Sequence, residues 1–177
     1  VSTGEYRRHG AFAEFVAVPQ HIVYPLPDNL SFEEAALIES VSIAFHAVRR
    51  APIELGDTAV VVGTGMIGSL VIQSLRAVGC DRIIAVDIDD YKLERALEFG
   101  ADEGLNSKKV DIAAEIAART EGRGADVAFE VVGATAPLAT AISAVRKGGS
   151  VTLVGNLTPN VDLPVQNVVT REITLYG

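Results

Sequence analysis

The chain should fold as a doubly wound α/β domain around a mainly parallel sheet. Three observations predict this. The apolar run Ala59-Val60-Val61-Val62 enters the segment Gly63-Thr64-Gly65-Met66-Ile67-Gly68, and an amphipathic helical pattern leaves it. A second apolar run, Ile83-Ile84-Ala85-Val86, ends on Asp87, nineteen positions after Gly68. From Ala59 onward, strand-like and helical segments alternate at the spacing of right-handed crossovers.

The elements follow in order. Residues 1–30 read as extended segments and turns, punctuated by Pro19, Pro25 and Pro27. Within them residues 10–18 (GAFAEFVAV) alternate like a half-buried strand, yet no hairpin partner of similar quality lies nearby. That orphan strand, with no initiator Met before it, suggests that an earlier part of the natural protein is missing. Ser31 and Glu34 form a capping box. Helical character then continues, with a break near Glu39-Ser40, to Arg50, and Pro52 closes it. Ile67, Leu70, Val71, Ser74, Leu75 and Val78 fall on one face of the next helix, and Gly79 stops it. Asp89 or Asp90 caps a helix that turns Leu93, Ala96 and Leu97 inward and ends at Gly100. A short strand near residues 104–106 precedes a helix over 111–120 presenting Ile112 and Ile116. A buried strand over 127–131, a helix near 137–147 and a strand over 150–154 complete the alternation. Arg146 and Lys147 suit that last helix's negative dipole end, with Gly148-Gly149 as its stop. Residues 173–176 are again strand-like.

Composition narrows the function. A net charge of −8 argues against nucleic acid and anionic membrane surfaces, because phosphate contacts need clustered Lys and Arg. Arg49-Arg50 and Lys108-Lys109 are isolated pairs at solvated ends. No apolar run approaches the roughly 18 residues of a spanning helix. The single cysteine, Cys80, excludes an internal disulfide or a cysteine-rich zinc knuckle, and reads as a small buried residue before the second strand. Without a signal peptide, a cytoplasmic setting is expected.

The glycine segment has the form a dinucleotide requires. Gly63 permits the tight turn, Gly65 lets the backbone approach a pyrophosphate, and Gly68 lets helix and strand pack closely. The amides of Thr64, Met66 and Ile67, at a positive dipole end, suit phosphate charge. Asp87 would accept hydrogen bonds from the ribose of NAD and repel the extra phosphate of NADP. Its neighbours Ile88, Asp89 and Asp90 offer that phosphate no Arg. Ligands of such sheets bind beyond the carboxyl ends of the strands. Gly133 and Gly155-Asn156 follow later strands at that same edge, so the nicotinamide end is expected near Val132, Gly133, Val154, Gly155 and Asn156. For Gly133 and Gly155 a plain turn role stands beside the binding one.

Together, residues 10–19, 26–48 (LPDNLSFEEAALIESVSIAFHAV), 55–68, 85–102, 124–133 and 147–155 resemble the medium-chain, zinc-dependent alcohol and polyol dehydrogenases, above all the sorbitol and threonine dehydrogenase branch. The resemblance spans essentially the whole chain. It implies a Rossmann-type NAD domain over residues 39–177, preceded by residues 1–38 as a remnant of a GroES-like catalytic β domain. It implies hydride transfer from a secondary alcohol to NAD, with zinc as Lewis acid and its main ligands outside this chain. Glu39 stands where polyol dehydrogenases place a Glu at the metal, touching zinc or its water. Ile43 and His46 would share its helical stripe, with His46 a buried, hydrogen-bonded residue. Lys92 matches a basic residue beside the adenosine ribose. Ser40 replaces a Pro common in polyol dehydrogenases, which leaves the substrate class open. No catalytic residue is assigned within the chain, and alone it is expected to bind NAD weakly and catalyse nothing. The family also implies dimers or tetramers. Two other readings are a zinc-free oxidoreductase of the quinone reductase type, disfavoured by Asp87 and Glu39, and a non-catalytic Rossmann module that senses NAD.

Overall fold

The computed structural model describes residues 12–177. The chain divides into two compact units that meet in sequence at Leu37 and Ile38.

In the first unit a single 3-10 turn, Gln20–Ile22, precedes the short helix α1, Phe32–Ala35. The capping box forms as expected. The Ser31 hydroxyl accepts from the Glu34 amide at 3.2 Å, and the Glu34 carboxylate accepts from the Ser31 amide at 2.9 Å. The predicted strand over 10–18 does not form in its described part: residues 12–18 are irregular, with Phe15 91% exposed. Gly10 and Ala11 lie outside the described residues. Alternation alone does not make a strand, because the backbone groups need a ladder partner, and no strand occurs among residues 12–37.

The second unit opens with α2, Ile38–Arg50. The helical break falls at Ala36-Leu37, slightly earlier than expected, so Glu39 occupies the first turn of α2. Six strands follow: β1 Thr58–Val62, β2 Arg82–Asp87, β3 Glu103–Asn106, β4 Ala125–Glu130, β5 Val145–Leu153 and β6 Thr174–Tyr176. They pair in the order β3-β2-β1-β4-β5-β6, every pairing parallel. The connecting helices are α3 Met66–Ala77, α4 Asp90–Glu98, α5 Ile112–Arg119, α6 Thr135–Ala144 and α7 Val165–Thr170. The predicted doubly wound α/β fold is therefore present.

The pleat explains why the strands are apolar throughout. Ala59, Val61, Ile83, Ala85, Val127 and Phe129 face one core with Ala44, Val48, Val71, Ile72, Leu75 and Leu93. Their neighbours Val60, Val62, Ile84, Val86 and Ala128 face the other, with Ile112, Ile116, Leu138 and Ile142. Among the described residues, no helix is long and apolar enough to cross a membrane.

Three element readings need correction. The buried stripe of α3 is Gly68, Ser69, Val71, Ile72 and Leu75, about one residue rotated from the expected face, and Val78 is 46% exposed. A Cβ on Gly68 would lie 2.0 Å from the Gly63 carbonyl oxygen. That backbone contact sets the helix's rotation, and hydrophobicity alone cannot see it. Leu97, expected inside, is exposed, because α4 buries only Leu93 and Ala96. Arg146 and Lys147 do not end a helix. The α6 helix stops at Ala144, and Val145 already pairs with Ala125 across a register shift. Arg146 is drawn instead to the buried Asp126, Nε to Oδ1 at 2.7 Å.

Asp126 anchors the amino-terminal edge of the sheet. It also accepts from the Thr58 amide at 2.9 Å and from Arg123 at 3.1 Å. Nearby, Glu103 takes both Arg82 and Arg119, each at 2.5 Å. Burial pushes the Asp126 carboxyl upward, but the Thr58 amide, Arg146 and Arg123 outweigh it and hold the pKa below the usual range. The ionised form therefore binds best in the folded state. Its stabilisation is complete above the unfolded value, about pH 4, and is lost as pH falls through the lower folded value. Asp126→Asn should cost about 1–2 kcal/mol at neutral pH and flatten the acid limb of stability, read by urea unfolding at several pH values.

Cys80 is 3% exposed, and its thiol donates to the Asp57 carbonyl at 3.2 Å. Burial, then the Asp57 charge, pushes its pKa up to about 11. The native thiol should resist a thiol reagent at pH 8 and react at the free rate once urea unfolds the chain.

Candidate functional site

The carboxyl ends of β1, β2, β4 and β5 meet at one edge, and the turns that leave them build the site. The three glycines of the first turn have different surroundings. Gly63 has a φ of +94°, and a Cβ there would lie 2.5 Å from Val132 Cγ2. Gly68 is closed by the Gly63 carbonyl. Gly65, the N-cap of α3, would present a Cβ to nothing within 4 Å, and no side chain caps the helix. Two glycines are thus required by packing, while the middle one leaves open space before uncapped helix amides. Met66, next to it, is 60% exposed, and Ile67 is packed partly against the core.

Asp87 ends β2 and is only 8% exposed. The Thr64 amide and hydroxyl donate to Oδ2 at 2.8 and 3.2 Å. The Ile88 and Asp89 amides donate to Oδ1 at 2.8 and 3.2 Å. A carboxylate has about four acceptor positions, so the acid is fixed against the glycine turn. Gly63 also donates to the Val86 carbonyl at 2.8 Å, tying the two strand ends together.

Beside these groups lies a cleft of about 160 Å³. Gly63, Asp87, Ile88, Val132, Ser107 and Pro137 are among the residues that line it. The structure thus brings four of the expected cofactor residues to one cavity. Gly133, Gly155 and Asn156 are held in abutting turns: a Cβ on Gly155 would lie 2.0 Å from the Gly133 nitrogen, and one on Gly133 would lie 2.4 Å from the Asn156 nitrogen. Lys92 is exposed on α4 and lines neither this cleft nor the one described next.

A second cleft, of about 530 Å³, runs between α2 and the end of β5, lined by Ile43, His46, Arg50, Thr152 and Val154 among others. His46 is exposed and so is not the buried residue expected. The helical stripe placed it at a cleft wall rather than in the core. Glu39 is also exposed. Among the described residues, no group of three or more His, Cys, Asp or Glu could hold a metal ion. These residues by themselves do not fit a zinc centre. The glycine turn and Asp87, in contrast, fit a dinucleotide, since only the middle glycine opens on space.

Glu130, at the end of β4, lies in the family-like stretch 124–133, yet no role is expected for it there. It is 2% exposed, and its Oε1 accepts from the Val132 and Gly133 amides at 2.9 and 2.8 Å. The signal that could have found it is in the strand sequence ADVAFE: an acid in a continuously buried strand must have a partner.

A parallel sheet in this order, with an open glycine turn and a buried acid at its carboxyl edge, defines a dinucleotide-binding domain. The family model described as zinc-binding dehydrogenase matches residues 67–177. The chain belongs to that family. It is 37% identical over 169 residues to sorbitol dehydrogenase of Bacillus subtilis, covering 95% of this chain and 48% of that protein. It superposes on the crystal structure of 2R,3R-butanediol dehydrogenase from Bacillus subtilis with a TM-score of 0.79 at 39% identity, covering 87% of this chain and 44% of the other. A zinc-binding dehydrogenase from Sinorhizobium meliloti, bound to NADP, superposes with a TM-score of 0.87 at 28% identity, covering 96% and 51%. The chain spans about half the length of the curated relatives it matches.

Proposed function

We propose that this chain is the cofactor-binding part of an NAD-dependent, zinc-dependent alcohol or polyol dehydrogenase. Residues 39–177 are the NAD domain in this reading, and residues 1–38 belong to the catalytic domain. The observation that carries it is the contrast among the three glycines, with Asp87 fixed beside them. NAD, when bound, accepts the hydride from a secondary alcohol. Gly65, Met66 and Ile67 receive the pyrophosphate at the start of α3. Asp87 holds the adenosine ribose, whose hydroxyls replace the two longer contacts, from the Thr64 hydroxyl and the Asp89 amide. Ile88 and Pro137 wall the adenine, and Lys92 is assigned to the ribose by its match to the family's basic residue. Val132, Gly133, Val154, Gly155 and Asn156 fix the nicotinamide end, where Val154 also borders the larger cleft. Zinc would be held chiefly by residues outside this chain, with Glu39 contributing from the start of α2.

NAD is favoured over the NADP seen in the Sinorhizobium relative. The carboxylate of Asp87 repels a 2′-phosphate, and Asp89 and Asp90 follow it. The enzyme is read as a cytoplasmic dimer or tetramer acting on a small alcohol. Titration calorimetry of the full-length protein with NAD and with NADP tests the cofactor, and metal analysis with a panel of alcohols tests the reaction. Tighter binding of NADP would refute the coenzyme assignment. Alcohol oxidation without any bound metal would refute the zinc assignment.

A further inference from the structure

We propose that Glu130 is a positioning residue that fixes the nicotinamide end of the site by holding two turns in register; this rests on the cofactor reading above. Its carboxylate Oε1 takes the amides of Val132 and Gly133, at 2.9 and 2.8 Å. Its main-chain carbonyl takes the amides of Val154 and Gly155, at 2.8 and 2.9 Å. One residue therefore ties the turn after β4 to the turn after β5. The turns are also bound to each other: Leu157 donates to the Val132 carbonyl at 3.2 Å, and the Thr158 hydroxyl donates to the Gly133 carbonyl at 2.9 Å.

The side-chain bonds matter because of where they lie. Gly133 has a φ of +83° and no room for a Cβ, so its turn has one acceptable path against Gly155. The Glu130 carboxylate, 2% exposed, selects that path by satisfying two successive amides. Without it those amides would be left unpaired in a water-poor place. The turn would then rotate to find other acceptors and shift the Val132 and Gly133 backbone relative to Gly155, Asn156 and Leu157, on the nicotinamide side of the site. Asp87 and its hydrogen bonds to Thr64, Ile88 and Asp89 involve none of these groups.

The two ends of the cofactor can be probed separately, because ADP-ribose carries the adenosine and pyrophosphate but lacks nicotinamide. Calorimetry on the full-length protein would compare NAD with ADP-ribose for wild type, Glu130→Ala, Glu130→Asp and Glu130→Gln. The alanine variant should lose about tenfold or more in NAD affinity and keep ADP-ribose affinity within about twofold of wild type. Aspartate keeps the charge but is one methylene too short for both amides, so it should show the same selective loss even if the alanine variant fails to fold. Glutamine retains an acceptor oxygen and should restore NAD binding to within about threefold. Equal losses for both ligands, or no loss with aspartate and alanine, would overturn the positioning role. Wild type binding neither ligand would instead defeat the cofactor reading itself.

Discussion

Gly68→Ala should destabilise the second unit by about 3 kcal/mol and abolish measurable NAD binding. A Cβ at this position would lie 2.0 Å from the Gly63 carbonyl oxygen and 2.9 Å from its carbon. Neither atom can yield without moving the turn that leaves β1. The helix must therefore lift from the strand, opening contacts of Val71, Ile72 and Leu75 with the core. Gly65→Ala is the matched control. A Cβ there would meet nothing within 4 Å, and its φ of −67° suits any L-residue. Its stability should stay within about 1 kcal/mol of wild type, while the new methyl occupies the approach of the pyrophosphate. Urea unfolding and NAD titration on both variants give the result: one should fail by folding, the other by binding. Equal stability of the two would refute the packing role of Gly68, and unchanged NAD binding by Gly65→Ala would refute the phosphate assignment.

Asp87→Asn should weaken NAD binding by about 10- to 100-fold, the range expected when charge-assisted hydrogen bonds become neutral. NADP affinity should fall less, or rise, since the variant lacks the carboxylate that repels a 2′-phosphate. The ratio of the two affinities should move toward NADP by at least about tenfold. A parallel loss for both coenzymes would mean that Asp87 acts only by bracing the turn through Thr64. That bracing is real, because the Thr64 amide lies 2.8 Å from the carboxylate. A thermal melt of the variant separates the two effects.

Much of this arrangement was legible in the residues, for identifiable reasons. The parallel sheet follows from strands alternating with helices, and in a parallel sheet the carboxyl ends that carry Gly63, Asp87, Gly133 and Gly155 share one edge. Asp89 caps α4 through the Tyr91 amide at 3.0 Å, as its position before the helix implied. What the residues concealed was set by individual contacts that a hydrophobic pattern does not encode. The α3 face is fixed by one glycine against one carbonyl, which an apolar pattern cannot register. The start of β5 was hidden because Arg146 and Lys147 fit a helix end as well as a strand, and only Asp126, twenty positions earlier, decides between them. Glu130 follows the core residues Val127, Ala128 and Phe129 in β4, where its charge is the clue. The strand expected over residues 10–18 failed in its described part because periodicity carries no information about a pairing partner.

The ion pairs about Asp126 and Glu103 lie at the amino-terminal ends of β2, β3 and β4, across the full length of the strands from Gly65 and Asp87. These charge contacts and the proposed coenzyme contacts thereby lie at opposite poles of one sheet. Substitutions that strengthen or thin the charged pole should therefore alter unfolding and leave coenzyme affinity unchanged.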